Sequence, residues 1–65
     1  MISTETRKKL RDRTEFCAMH TEHLDDWELD FIDRVGAIQA WGKDLTGKQA
    51  RMLGRIFRKI EEEVG

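Results

Sequence analysis

The chain has 65 residues, of which 38% are apolar and 38% charged, with no proline, no tyrosine, one cysteine and a formal net charge of −1. That length admits one domain whose core supplies only about 3–5 kcal/mol, and one cysteine excludes an intramolecular disulfide as its staple. No apolar run approaches the roughly 20 residues of a membrane span and no charged-then-apolar leader opens the chain; with too many large apolar residues for disorder, it reads as a cytoplasmic, helix-rich protein.

In chain order, residues 1–9 are polar and expected to fray, with Ser3 or Thr4 as N-cap of a first helix over about 4–22. The basic run from Arg7 to Arg13 sits in its early turns, where the helix dipole disfavours positive charge. Its apolar positions split into two thin stripes, Leu10/Thr14/Cys17/Thr21 and Phe16/Met19/His23, neither of which makes a strong core face. No glycine or proline interrupts it before Asp25, so it could also run straight into the next helix.

Asp25 and Glu28 have the spacing of a capping box, with Leu24 and Leu29 as its staple, and start a second helix over about 26–41. Gly42 fits the left-handed position beyond its end. The main apolar face is Trp27, Phe31, Val35 and Ile38; a second stripe, Leu29, Ile32, Gly36 and Ala40, lies about a third of a turn away. Two stripes imply two neighbours. Trp27 and Phe31 are expected in the core, while Trp41, about 70° off the main face, is expected to be exposed as a docking anchor. Glycine inside a helix costs about 1 kcal/mol, and a close backbone approach would account for Gly36.

The third helix, about 47–63, is the clearest. Thr46 and Gln49 form a capping box and Leu45 can staple onto Ala50. Met52, Leu53, Ile56, Phe57, Ile60 and Val64 share one face; Lys48, Arg51, Arg55, Arg58 and Lys59 share the other. Glu61–Glu63 sit at the unfavourable end of the dipole, so the last turn should fray unless nearby arginines hold it. The short link after Gly42 folds helices two and three into an antiparallel hairpin. The fold expected is all-α, a helical hairpin with an N-terminal helix packed on it or reaching to a second copy. The two stripes of helix two and the short chain favour a homodimer.

Charge is segregated along the chain: residues 21–35 carry six acids against one base, and 36–60 six bases against one acid. Such blocks allow complementary docking as well as solvated faces. Asp26, Asp30 and Asp33 form an acidic side of helix two suited to a basic protein surface, with no partner carboxylate or calcium loop to make a metal site. The helix-three cations could follow phosphates, but neither a helix-turn-helix spacing nor interleaved aromatics accompanies them. Cys17, His20 and His23 catch the eye as metal ligands or as a nucleophile and base. Their spacing spreads them around an unbroken helix, and no companion pocket or oxyanion site is evident. Accordingly neither a metal, a cofactor nor an enzymatic activity is expected.

The pattern Trp27-Glu28, Phe31-Ile32, then Leu45-Thr46-x-Lys48-Gln49-x-x-x-Leu53-x-x-Ile56-x-x-Lys59-Ile60 resembles a hairpin found in small phage and prophage proteins and in the tails of some replication and recombination proteins. It covers about residues 24–60. The resemblance implies a mobile-element origin and assigns no catalytic residue. The function expected is a non-enzymatic protein–protein interaction module that binds a host or replication protein stoichiometrically, to modulate or inhibit it, through Trp41, Asp26, Asp30 and Asp33. The alternative is a nucleic-acid accessory protein using Lys48, Arg51, Arg55, Arg58 and Lys59.

Overall fold

The computed structural model describes residues 3–65 and contains three α-helices, α1 (Thr4–Met19), α2 (Asp26–Ala40) and α3 (Gly47–Val64), with no strand among the described residues. Met1 and Ile2, part of the stretch expected to fray, lie outside that range. Each helix starts where a side chain can satisfy the orphan N–H groups of the first turn. The Thr6 N–H donates to Ser3 Oγ at 3.2 Å, and the Asp25 N–H donates to Glu28 Oε1 at 2.8 Å. At α3 the box is reciprocal, Gln49 N–H to Thr46 Oγ1 at 3.1 Å and Thr46 N–H to Gln49 Oε1 at 2.9 Å.

Helix α2 ends as its glycine dictates. Gly42 adopts φ +76°, its N–H donates to Gln39 O at 3.0 Å, and the Lys43 N–H donates to Ile38 O at 3.1 Å. These paired bonds are a Schellman motif, which needs a left-handed residue at that position. The chain then reverses into α3.

Helix α1 stops at Met19, three residues short of the expected end. His20 leaves the helical region at φ −124°, ψ 47°, and a single 3₁₀ turn, Thr21–His23, follows. The turn is closed by His23 N–H to His20 O at 3.1 Å and Leu24 N–H to Thr21 O at 3.0 Å. A continuous rod into α2 is therefore ruled out. Reversing here packs Leu24 against the core, a burial that an unbroken helix would forfeit.

The three-helix body is the one expected, but its centre is different. Helix α1 packs extensively on both α2 and α3, whereas α2 and α3 meet along a narrower seam. Leu10, Thr14 and Cys17 of α1 are buried with Ile32 and Val35 of α2, Leu45 of the link, and Leu53, Ile56 and Ile60 of α3. The thin stripe of α1 works because its side chains are small. Thr14 Oγ1 donates to Leu10 O at 2.9 Å, which satisfies the hydroxyl locally. Its methyl lies toward Gly36, where an added Cβ would sit 4.0 Å from Thr14 Cγ2. That is an ordinary van der Waals distance, so the approach is not tight enough to require glycine.

Each stripe of α2 finds a neighbour within the chain, although Trp27 and Ala40 stay exposed. The Gly36 side meets α1, and the Glu28–Val35 side meets α3. The inward line is Glu28, Ile32 and Val35, with Phe31 and Ile38 packed at its edge. Trp27, expected in the core, is instead 54% exposed. Helical geometry turns it about 100° from Glu28, and it is Glu28 that points inward. The C-terminal turn of α3 persists to Val64 although three glutamates crowd it. Glu63 finds a partner, but a histidine rather than an arginine: His23 Nδ1 lies 2.7 Å from Glu63 Oε2.

Candidate functional site

The narrow α2–α3 seam leaves an open groove of about 360 Å³, lined by Trp27 and Glu28 of α2 and by Met52, Arg55, Ile56 and Lys59 of α3. Trp27 lies in the first turn of α2, fixed by the Asp25–Glu28 cap. Met52 and Ile56 are one turn apart on α3 and give the groove an apolar floor.

A cross-seam ion pair spans the groove. Lys59 Nζ donates to Glu28 Oε1 at 2.7 Å and Oε2 at 3.0 Å, and Glu28 is only 5% exposed. Burial alone would raise the Glu28 carboxyl. The Asp25 N–H, the hydrogen bond from Lys59 and the Lys59 charge outweigh it and hold the carboxyl below its ordinary 4.5. The hydrogen bond to Glu28 in turn raises the Lys59 ammonium against the opposing pull of desolvation. One glutamate therefore both caps α2 and ties it to α3.

The basic face expected of α3 is present with one member removed. Lys48, Arg51, Arg55 and Arg58 are exposed and in no ion pair with a described residue. Lys59 is half-buried and committed to Glu28. Arg55 edges the groove, and Arg58 joins Arg55 and Lys59 around an adjoining shallow depression. Two cations of the N-terminal run are also engaged internally: Arg7 grips Asp44 at 2.7 and 3.0 Å, and the Arg13 guanidinium sits 5.4 Å over the Phe57 ring.

Of the other expected contact residues, Trp41 is 82% exposed at the C-cap of α2, beside Ala37, Ile38 and Lys43. It is separated from Trp27 by 14 residues, or about 21 Å of helix, so the two indoles belong to different patches. Asp26, Asp30 and Asp33 are exposed. Asp26 lies in the first turn of α2, where the dipole favours it, and Asp30 pairs with Arg34 one turn on at 3.0 Å. These aspartates and the groove are not one site.

Cys17 is fully buried in the core. Burial, reinforced by the Glu28 charge, pushes its thiol up to about 11, so it is protonated at neutral pH and unsuited to attack. It does not join the histidines. His20 and His23 are brought together by the 3₁₀ turn with Glu22, their ligand atoms all lying within 4.8 Å of one another.

No family model, curated protein or solved structure matches the chain. No helix among the described residues is long and apolar enough to cross a membrane.

Proposed function

We propose that this chain is a non-enzymatic protein-binding module whose α2–α3 groove receives an acidic, amphipathic helical segment of its partner. The observation that carries the reading is the half-exposed indole of Trp27 beside the apolar floor of Met52 and Ile56 and beside Arg55, which pairs with no described residue. An apolar anchor would fill the groove as a helix-in-groove contact, and carboxylates flanking it would meet Arg55 and Arg58. The groove is too open to enclose a reaction and well suited to one inserted side chain. On the resemblance to phage and prophage hairpins, the partner is a cytoplasmic host or replication protein, modulated or inhibited by stoichiometric occupancy. Trp41 offers a second, separate contact.

The test is a fluorescence titration of the chain against helical peptides carrying an apolar stripe flanked by glutamates, with the same peptides carrying lysines as control. Saturable 1:1 binding to the acidic set, weakened at least tenfold by Trp27→Ala and by Arg55→Glu, is expected. Equal binding of both sets, or no effect of Trp27→Ala, would overturn the reading. Sedimentation of the chain and of its Trp27→Ala variant tests the homodimer expected from the sequence: a dimer that the substitution dissociates would mean that a second copy occupies the groove instead.

A second reading has its own observation, the four cations Lys48, Arg51, Arg55 and Arg58 along about 15 Å of α3. They suit a phosphate backbone. Under that reading log–log salt titrations against duplex and single-stranded DNA and RNA should show a slope of about one per neutralised phosphate, unaffected by Trp27→Ala.

A further inference from the structure

The turn that breaks α1 from α2 collects both histidines of the chain on one side, together with a carboxylate. His20 precedes the turn and His23 ends it, the His23 N–H donating to His20 O at 3.1 Å, and this closure brings the two ring centroids to 6.3 Å. Glu22 Oε1 lies 3.6 Å from His23 Nε2 and 3.9 Å from His20 Nδ1. Ligand atoms around a tetrahedral zinc are about 3.4 Å apart, from bonds of about 2.0–2.1 Å, so modest rotations would close the set.

Two further contacts orient the imidazoles. The His20 ring rests 4.5 Å from the Phe16 ring, which packs edge-on against Phe57 at 5.0 Å. That fixes one face of His20 against the aromatic part of the core. His23 Nδ1 lies 2.7 Å from Glu63 Oε2, while its other nitrogen, Nε2, lies on the Glu22 side, 3.6 Å from Glu22 Oε1. A carboxylate holding the far nitrogen of a ligating histidine sets its tautomer and makes it a better donor to a metal. Both rings are about one-quarter exposed, open enough for an ion to enter.

We propose that His20 Nδ1, His23 Nε2 and a Glu22 carboxylate oxygen form a binding site for a divalent transition metal of the zinc class, with Glu63 as the outer carboxylate that orients His23. Two imidazoles and one carboxylate suit zinc, cobalt, nickel or copper, and disfavour calcium and magnesium, which prefer all-oxygen shells. Three protein ligands leave at least one coordination position for water or a donor from elsewhere. The ion would join the end of α1, the 3₁₀ turn and, through Glu63, the last turn of α3, stapling a chain that has no disulfide. This inference is independent of the groove and of what occupies it.

The experiment is a zinc titration of the full chain followed by calorimetry, thermal melting and NMR of the imidazole protons, with cobalt as a spectroscopic probe. Expected are a 1:1 complex, a higher melting temperature with zinc but not with magnesium or calcium, and zinc-dependent shifts of both ring systems. The cobalt complex should show ligand-field bands without thiolate charge transfer, and Cys17→Ala should leave the affinity unchanged. His20→Gln and His23→Gln should abolish saturable binding, and Glu63→Ala should weaken it about 10–100-fold. The NMR arm needs no variant: imidazole resonances that stay put as zinc is added overturn the site. So do a thiolate band with cobalt, or equal zinc affinity in the His20→Gln/His23→Gln double variant.

Discussion

Where α1 meets α2, a threonine methyl faces a glycine and the threonine hydroxyl is satisfied by its own helix; where α2 meets α3, an ion pair bridges the gap and an indole stays in water. The first seam is closed by small residues along its length, and only a pocket of about 150 Å³ at its Gly42 end, among Arg7, Arg11, Gln39 and Lys43, stays open. The second is held apart by large ones and leaves a groove. In a body of this size the same three helices must supply both cohesion and recognition, and the division runs between seams rather than between helices. Helix α3 takes part in both, burying Leu53, Ile56 and Ile60 inward while Met52 and Arg55 edge the groove.

That contrast can be broken most forcefully at the centre. Leu53 is fully buried among all three helices, and Leu53→Ala should cost about 3 kcal/mol. Against the roughly 3–5 kcal/mol that a core of this size supplies, urea denaturation should find the variant largely or wholly unfolded. A native-like midpoint would mean that the core does not hold the fold together.

The cross-seam pair should matter less, because Lys59 keeps access to water. Glu28→Gln is expected to cost about 1–2 kcal/mol at neutral pH, the range for a weakened charge-assisted hydrogen bond. The Glu28 carboxyl is held below its ordinary 4.5 in the folded state, so its contribution is complete above that pH and is lost as acid carries the solution down through the lowered folded value. Urea midpoints measured across that interval should therefore drop further for the parent chain than for Glu28→Gln. Parallel curves would show that the pair contributes nothing net.

Gly36→Ala sharpens the closed seam from the other side. A methyl there meets Thr14 at an ordinary distance, so the gain in helix propensity, about 0.5–1 kcal/mol, should appear as a stabilisation in thermal melts. A loss would mean the seam is tighter than its geometry. The smallest effect belongs to Trp41→Ala, which should leave stability within about 0.5 kcal/mol because the indole is almost wholly in solvent.

The starts of the three helices and the end of α2 were legible in the sequence because capping is local chemistry. Ser3, Thr46 with Gln49, Glu28 reaching back to Asp25, and Gly42 all do what their types and spacings imply. The centre was less legible. A stripe containing threonine and cysteine carries little hydrophobic signal, yet small residues are what let α1 sit between its neighbours. Trp27 and Glu28 exchanged places for a related reason: a hydropathy pattern sends tryptophan inward and glutamate outward, and only the distant Lys59 makes the reverse acceptable. Cys17, His20 and His23 were separated by assuming an unbroken helix, and the break at His20, which brings the two histidines together, goes with the tertiary packing of Leu24.

The central position of α1 also governs how the molecule assembles. The first of these three helices in chain order has one wall of its berth in α2 and the other in α3, so Leu10 and Cys17 wait for contacts more than 30 residues downstream. Such sequence-distant closure slows a helical protein relative to one built from neighbouring hairpins and makes the transition all-or-none. A chain shortened at the Gly42 turn should therefore not leave a folded two-helix remnant, and random-coil circular dichroism from residues 1–42 would be the sign of that interdependence.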